Sequence, residues 1–123
     1  KEILNAQKEC WNNGDIDGFM EGYWNSEELI FTSLNHQPTF GWKNTLERYK
    51  KSYPNKESMG NFNVEILELK LISDKSARLK GKWELIRKDD NPNGLFWLNL
   101  EKFEENWLIT KDSTISFDLI IPA

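Results

Sequence analysis

The pattern of apolar and polar positions splits this chain near Phe62. Before it, apolar residues recur at helical spacing; after it, they alternate with polar ones along four long runs. Residues 2–13 put Ile3, Leu4, Ala6, Cys10 and Trp11 on one helical face. Asn13-Gly14 stops that helix, because glycine takes the left-handed cap conformation without penalty. Asp15 stands where an N-cap belongs. Ile16, Phe19, Met20 and Tyr23 then make the i, i+3, i+4, i+7 stripe of a second, short helix. A third helix runs from Trp42 to Tyr53, with Trp42, Leu46, Tyr49 and Tyr53 on one face, and Pro54 ends it. Between the second and third helices, ELIFTS (28–33) has strand character and Asn35-His36 can turn. Thr39-Phe40 can return as a partner strand, which Pro38 confines to a sheet edge.

Residues 55–61 read as a loop. The four runs that follow are FNVEILELKLIS (62–73), SARLKGKWELIR (76–87), GLFWLNLEKF (94–103) and NWLITKDSTIS (106–116). Asp74-Lys75 and Glu105-Asn106 read as tight turns and KDDNPNG (88–94) as a longer hairpin loop. Such short connections predict an antiparallel meander. The DLIIPA tail (118–123) is apolar, suited to packing on the body or meeting a partner chain. Helices followed by strands predict one α+β domain over residues 1–123, with three N-terminal helices on one face of the sheet.

Side chains two apart on a strand share a face. Ala77, Leu79, Gly81, Trp83, Leu85 and Arg87 form one set, and Phe96, Leu98 and Leu100 another; both are expected to face the helices. Trp97, Asn99, Glu101 and Phe103 mix aromatic with polar groups and suit a dimer interface on the opposite face. In the last strand Trp107, Ile109, Lys111 and Ser113 oppose Leu108, Thr110, Asp112 and Thr114. A bulge would exchange these sets partway, so the facing of Asp112 stays open.

Composition narrows the partners. Aromatic residues make up 13% of the chain, an excess that suits a cavity wall or an interface as well as a core. The net charge is −4 and no basic run exceeds Lys50-Lys51, which argues against nucleic acid. No apolar run is long enough to span a bilayer, so no membrane partner is expected. The chain begins at Lys1, so a soluble cytoplasmic protein and the mature form of an exported one fit equally. One cysteine, one histidine and no metal or nucleotide motif predict neither a metal site nor a cofactor.

The strings WNNGDIDGFMEGYW (11–24), GWKNTLERYKKSYP (41–54), ARLKGKWELIR (77–87), GLFWLNLEKF (94–103) and NWLITKDSTIS (106–116) span nearly the whole chain. With the order of elements, they resemble the nuclear transport factor 2-like superfamily, and most closely its uncharacterised bacterial branch. This is the cystatin-like, cone-shaped α+β fold shared with ketosteroid isomerases, SnoaL-like polyketide cyclases and kinase association domains. The resemblance implies a strongly curved, mostly antiparallel sheet, a pocket between its concave face and the helices, and a homodimer. Its members include enzymes, binding modules and oligomerisation domains, so the fold leaves the function open. Related chains often carry Asp-His-Thr-Ser in the last strand. Here the run is Asp112-Ser113-Thr114-Ile115-Ser116, and the imidazole is missing.

The candidate pocket residues are Tyr23, Trp24, Phe31, Tyr49 and Tyr53 from the first half of the chain. Trp83, Leu85, Arg87, Phe96, Leu98 and Asp112 complete them from the sheet. Asp112 is the carboxylate best placed to act as a general base, since an apolar surround raises its pKa; its structural alternative is hydrogen bonding to backbone, Ser113 or Thr114. Tyr49, like Tyr23 and Tyr53, can donate to a carbonyl, or can simply pack. Arg87 either anchors a ligand carboxylate or closes a rim salt bridge to Asp112, Glu84 or a loop acid. His36 falls in a turn and Cys10 on an apolar helix face, and neither pattern supports catalysis. Three functions fit: binding of a small apolar or aromatic molecule by a homodimer, proton abstraction next to a carbonyl by an isomerase- or cyclase-type enzyme with Asp112 as base, and protein interaction or oligomerisation.

Overall fold

A computed structural model describes residues 2–33 and 38–116. Its elements are α1 (Glu2–Asn12), α2 (Ile16–Phe19), a 3-10 turn (Met20–Gly22), β1 (Ile30–Ser33), β2 (Thr39–Phe40) and α3 (Trp42–Ser52). They continue with α4 (Lys56–Met59), β3 (Asn61–Ser73), β4 (Ser76–Ile86), β5 (Asn93–Phe103) and β6 (Asn106–Ser116). One curved six-stranded sheet has the order β2-β1-β6-β5-β4-β3. It is mixed: β3 to β6 form the antiparallel meander, while β1 lies parallel to β6. β2 sits at one edge, where Pro38 places it.

Local chemistry explains most boundaries. Gly14 takes φ 77° after α1, and the Asp15 carboxylate accepts from the Gly18 N–H at 2.9 Å. The stretch 55–61, read as a loop, contains α4 instead. Asn55 accepts from the Ser58 N–H while the Ser58 hydroxyl faces the Asn55 N–H, a reciprocal capping box. The last tight turn is Glu104-Glu105, one residue earlier than the sequence suggests, with Glu104 at φ 58°. On α1, Gln7 is buried and Ala6 is exposed. The Gln7 amide is satisfied by donating to the Phe19 carbonyl at 3.1 Å. His36 and the DLIIPA tail lie outside the described residues, and no described helix is long and apolar enough to cross a membrane.

The helices are pinned to the sheet by side-chain bonds. Asn12 exchanges two hydrogen bonds with the Phe62 backbone at the start of β3. The Trp11 indole donates to the Met59 carbonyl at 2.9 Å, and Trp42 to that of Met20 at 2.9 Å. Leu79, Leu85, Phe96, Leu98 and Leu100 are buried toward the helices, as the alternation predicts. On the other face, Trp97 is 40% exposed, whereas Phe103 stacks on Trp24 at 5.6 Å.

A bulge decides the last strand. Asn99 pairs with Lys111 but Leu100 pairs with Ile109, leaving Thr110 as the extra residue. Ile109 and Asp112 therefore share the concave face, opposite Leu100 and Leu98. Lys111 and Ser113 face outward with Asn99 and Trp97. The Thr110 hydroxyl donates to the Asn99 carbonyl at 3.3 Å, a bond made where the ladder is interrupted.

Gly81 lies directly opposite Phe96. A Cβ there would stand 2.3 Å from Phe96 Cζ, so the ring rests on the glycine. Gly81→Ala should push that ring toward the helices and cost about 1–3 kcal/mol of unfolding free energy, most of it restored in a Gly81→Ala/Phe96→Leu double variant. Urea unfolding measures both, and an unchanged single variant would refute the contact.

Candidate functional site

The helices stand off the concave sheet over a cavity of about 910 Å³. β4 and β5 contribute Trp83, Leu85, Phe96 and Leu98; α1 and α2 contribute Trp11 and Phe19; β1 contributes Phe31. Tyr49 of α3 and Tyr53 just beyond it close the wall. The rings pack edge to face, Trp11 lying 4.9 Å from Phe19 and 5.1 Å from Tyr53, and Phe19 lying 5.2 Å from Tyr49. The exposed side chains Asn44, Glu47, Lys51 and Ser52 line the open end.

Of the two acidic groups lining the cavity, Glu47 is exposed and Asp112 is buried. Asp112 is 4% exposed, and its two carboxyl oxygens are each bonded. The Tyr23 hydroxyl donates to Oδ2 at 2.5 Å and the Thr114 hydroxyl to Oδ1 at 2.7 Å. Tyr23 arrives there because the chain leaving the 3-10 turn docks on β6 at the bulge. Tyr23 bridges Ile109, and the Trp24 N–H donates to the Ile109 carbonyl at 2.8 Å. The Tyr49 hydroxyl stands 3.5 Å from that of Tyr23. Since the Tyr23 proton points at Asp112, Tyr23 can only accept from Tyr49.

Opposing effects set the charge on Asp112. Burial penalises the carboxylate and raises its pKa; the Tyr23 and Thr114 hydroxyls stabilise it and pull the pKa down. Burial prevails, and the group is pushed up to about 6. Burial also raises the Tyr23 and Tyr49 phenols, with the nearby Asp112 charge adding to it. Both remain protonated donors at neutral pH.

Ten of the eleven residues singled out in the sequence meet at this cavity, and Trp24 does not; its ring stacks on Phe103 instead. Trp24 follows Tyr23 in extended backbone, so its side chain leaves on the other side. Arg87 is at the rim, but a loop acid occupies it. Its Nε and Nη2 meet the two Asp90 oxygens at 2.6 Å each, and Nη1 donates to the Ser58 carbonyl at 3.1 Å. The pairing with Arg87 holds the Asp90 carboxyl below its usual range. Of the structural alternatives for Asp112, Thr114 is its partner, while Ser113 faces away and takes the Thr32 hydroxyl at 3.0 Å. Burial raises the Cys10 thiol, aided by Asp15, Glu21 and Glu9, which works against a thiolate nucleophile.

Phe19, Ile109 and Arg48 are among the lining residues outside the candidate set. Phe19 lies on the apolar stripe of α2 and differs in no way from a core residue at that level. Ile109 was hidden by the bulge. Arg48 precedes Tyr49, and that adjacency was the available signal.

No protein-family model matches this sequence, and no curated protein does. Solved structures do. A structure of an NTF-2 like protein of unknown function from Shewanella oneidensis MR-1 is 43% identical, covers 93% of each chain and superposes with a TM-score of 0.88. A ketosteroid isomerase-like protein from Erwinia carotovora atroseptica SCRI1043 shares the fold at 16% identity and a TM-score of 0.75, over 98% of this chain and 93% of its own. A domain of unknown function with a cystatin-like fold from Nostoc punctiforme PCC 73102 does so at 15% identity and 0.78, over 93% of this chain and 72% of its own. The chain belongs to the nuclear transport factor 2-like family.

The state of Asp112 should appear in the stability. Its folded pKa of about 6 lies above the ordinary 3.8, so between those values the folded chain holds a proton that the unfolded chain has released. Stability therefore falls as pH rises through that window and levels off above it, by about 3 kcal/mol in all. In Asp112→Asn this component should vanish while Tyr23 keeps an acceptor. Urea unfolding of both proteins from pH 4 to 8 tests it, and parallel profiles would disprove a buried, titrating Asp112.

Proposed function

We propose that this chain binds a small, flat, largely apolar molecule in the cavity, with one polar group of that molecule against the Asp112–Tyr23–Tyr49 cluster. The observation that carries the proposal is a single buried, hydrogen-bonded carboxyl on the wall of an otherwise aromatic and aliphatic cavity. Such convergence of a few polar groups in an apolar cleft is the usual make-up of a ligand site. The cavity volume also suits a molecule of two or three fused rings. 2-Naphthol is a suitable probe. Its addition should saturably quench tryptophan fluorescence and shift the amide resonances of Phe31, Tyr49, Phe96 and Asp112. Shifts scattered over the outer surface, or none, would remove the proposal.

One observation favours catalysis as a second reading. The bulge turns Asp112 inward, and burial keeps its pKa about 6, where a carboxylate is a better base than one in water. The ionised carboxylate would take a proton from the carbon next to a ligand carbonyl, leaving an enolate whose oxygen accepts from Tyr49. In deuterated water, 2-acetonaphthone should then exchange its methyl protons faster with the protein than without it. The rate should rise with pH through about 6, and Asp112→Asn should abolish it. Exchange equal to that in buffer would exclude this chemistry for that class of ketone.

Assembly completes the proposal. Trp97 offers an apolar centre on the convex face, ringed by Lys70, Arg78, Lys80 and Lys111 with one carboxylate, Glu68, opposite Lys80, so the patch is net positive. Lys70, Arg78, Asn99 and Lys111 stand in one cross-strand row, and Lys80 lies 5.8 Å from the Trp97 ring centroid. Two copies meeting through this face would oppose like charges, so the homodimer should tighten as salt screens them. Sedimentation velocity at about 0.05 M and about 0.5 M salt reads this directly, and a monomer under both conditions would refute it.

A further inference from the structure

The open end of the cavity holds a second arginine besides Arg87. Arg48 of α3 lines the cavity, and its guanidinium carbon stands 4.8 Å from the centroid of the Phe31 ring on the cavity wall. Its Nη1 donates to the Thr39 hydroxyl at 2.8 Å. These two contacts, one stacking and one hydrogen bond, hold the side chain in place. A guanidinium carries five N–H donors, and one is used by Thr39. Among the described residues no carboxylate pairs with Arg48, whereas Arg87 is taken by Asp90 through two bonds. The other charged side chains lining the cavity are Glu47, Lys51, Arg87 and, on the wall beneath, Asp112. Glu47 and Lys51 are exposed on α3 and carry opposite charges.

The cavity thus has unlike ends. Asp112, Tyr23 and Tyr49 sit on the buried wall; Arg48 sits by the mouth with donors to spare; rings and aliphatic side chains lie between them. We propose that the ligand is an aromatic or alicyclic organic acid whose carboxylate takes the free N–H donors of Arg48. Its apolar body lies along Phe31, Phe96 and Leu98, and a hydroxyl or carbonyl at its far end meets the Asp112 cluster. Arg48 is then the residue that selects acids over neutral molecules of the same shape. A planar guanidinium suits a planar carboxylate through two parallel bonds, which a lysine cannot reproduce. This rests on the cavity binding small molecules at all.

Two probes separate the two ideas. 6-Hydroxy-2-naphthoate carries its hydroxyl at the end of the ring system opposite its carboxylate, and 2-naphthol lacks the carboxylate. The naphthoate should bind the protein at least about tenfold more tightly, as one charge-assisted pair allows. Arg48→Met, which keeps an unbranched apolar stem, should erase that preference, weakening naphthoate binding at least about tenfold more than 2-naphthol binding. Arg48→Lys should restore only part of it, and Arg87→Met should keep it whole. Near-ultraviolet circular dichroism confirms that each variant is folded. Equal affinity for the two probes, or a preference that survives Arg48→Met, overturns the assignment of Arg48 while the cavity remains a binding site. Failure of both probes to bind overturns the cavity as a site and this inference with it.

Discussion

The extra residue in β6 holds the site together. A strand of strict alternation would place Ile109 and Asp112 on opposite faces, because they are three apart. With Thr110 unpaired, both turn inward beside Leu100 and Leu98. The carbonyl of Ile109 then receives the Trp24 N–H, so the chain leaving the helical layer is tied to the sheet at that point. Tyr23 is thereby delivered against Asp112. Without the bulge the carboxylate would face solvent on the convex side, where a hydrated acid has its ordinary pKa and the cavity would have no buried acidic group on its wall.

The same arrangement sets a compromise. Burying a carboxyl is unfavourable, and two hydroxyl donors relieve part of the cost without cancelling it. A third donor would lower the pKa further, and losing either hydroxyl would raise it. As built, it changes state near pH 6, which suits proton transfer and also allows it to donate or accept toward a bound molecule. Ser113, which stands where related chains often carry histidine, faces outward toward Thr32, so that position would not bring an imidazole to Asp112.

The two arginines near the mouth show how tertiary contacts divide similar residues. Arg87 follows the inward row of β4 and was open to two roles, a ligand anchor or a rim salt bridge. It is spent on Asp90 in the following loop and on the Ser58 carbonyl of α4. Arg48 lies between Glu47 and Tyr49 on α3, off the apolar stripe of that helix. It folds over Phe31 and keeps most of its donors. The aromatic residues likewise do two jobs: Trp11 and Phe19 belong to the buried core and also form the wall of the cavity.

By itself the sequence determined the elements and most of their faces. The stop at Gly14, the cap at Asp15, the stripe on α3 and the inward sets of β4 and β5 each depend on neighbours a few residues away, so spacing and turn chemistry suffice to read them. It also pointed to several of the aromatic side chains that gather, Tyr23, Tyr49, Tyr53 and Trp83 among them, because each lay on the apolar face of its own element. The short helix at Lys56–Met59 was within reach, since Asn55 and Ser58 stand at capping-box spacing, but four residues show no period. Only the tertiary structure decided the facing of Asp112, the loss of Trp24 to Phe103 and the pairing of Arg87 with Asp90. The first depends on one unpaired residue in a ladder, the second on a partner distant in the chain and the third on the fold of the loop after β4, and none of these shows in the apolar spacing. A bulge shifts side-chain facing by one position, and the strand carrying it reads the same until its partner is in place.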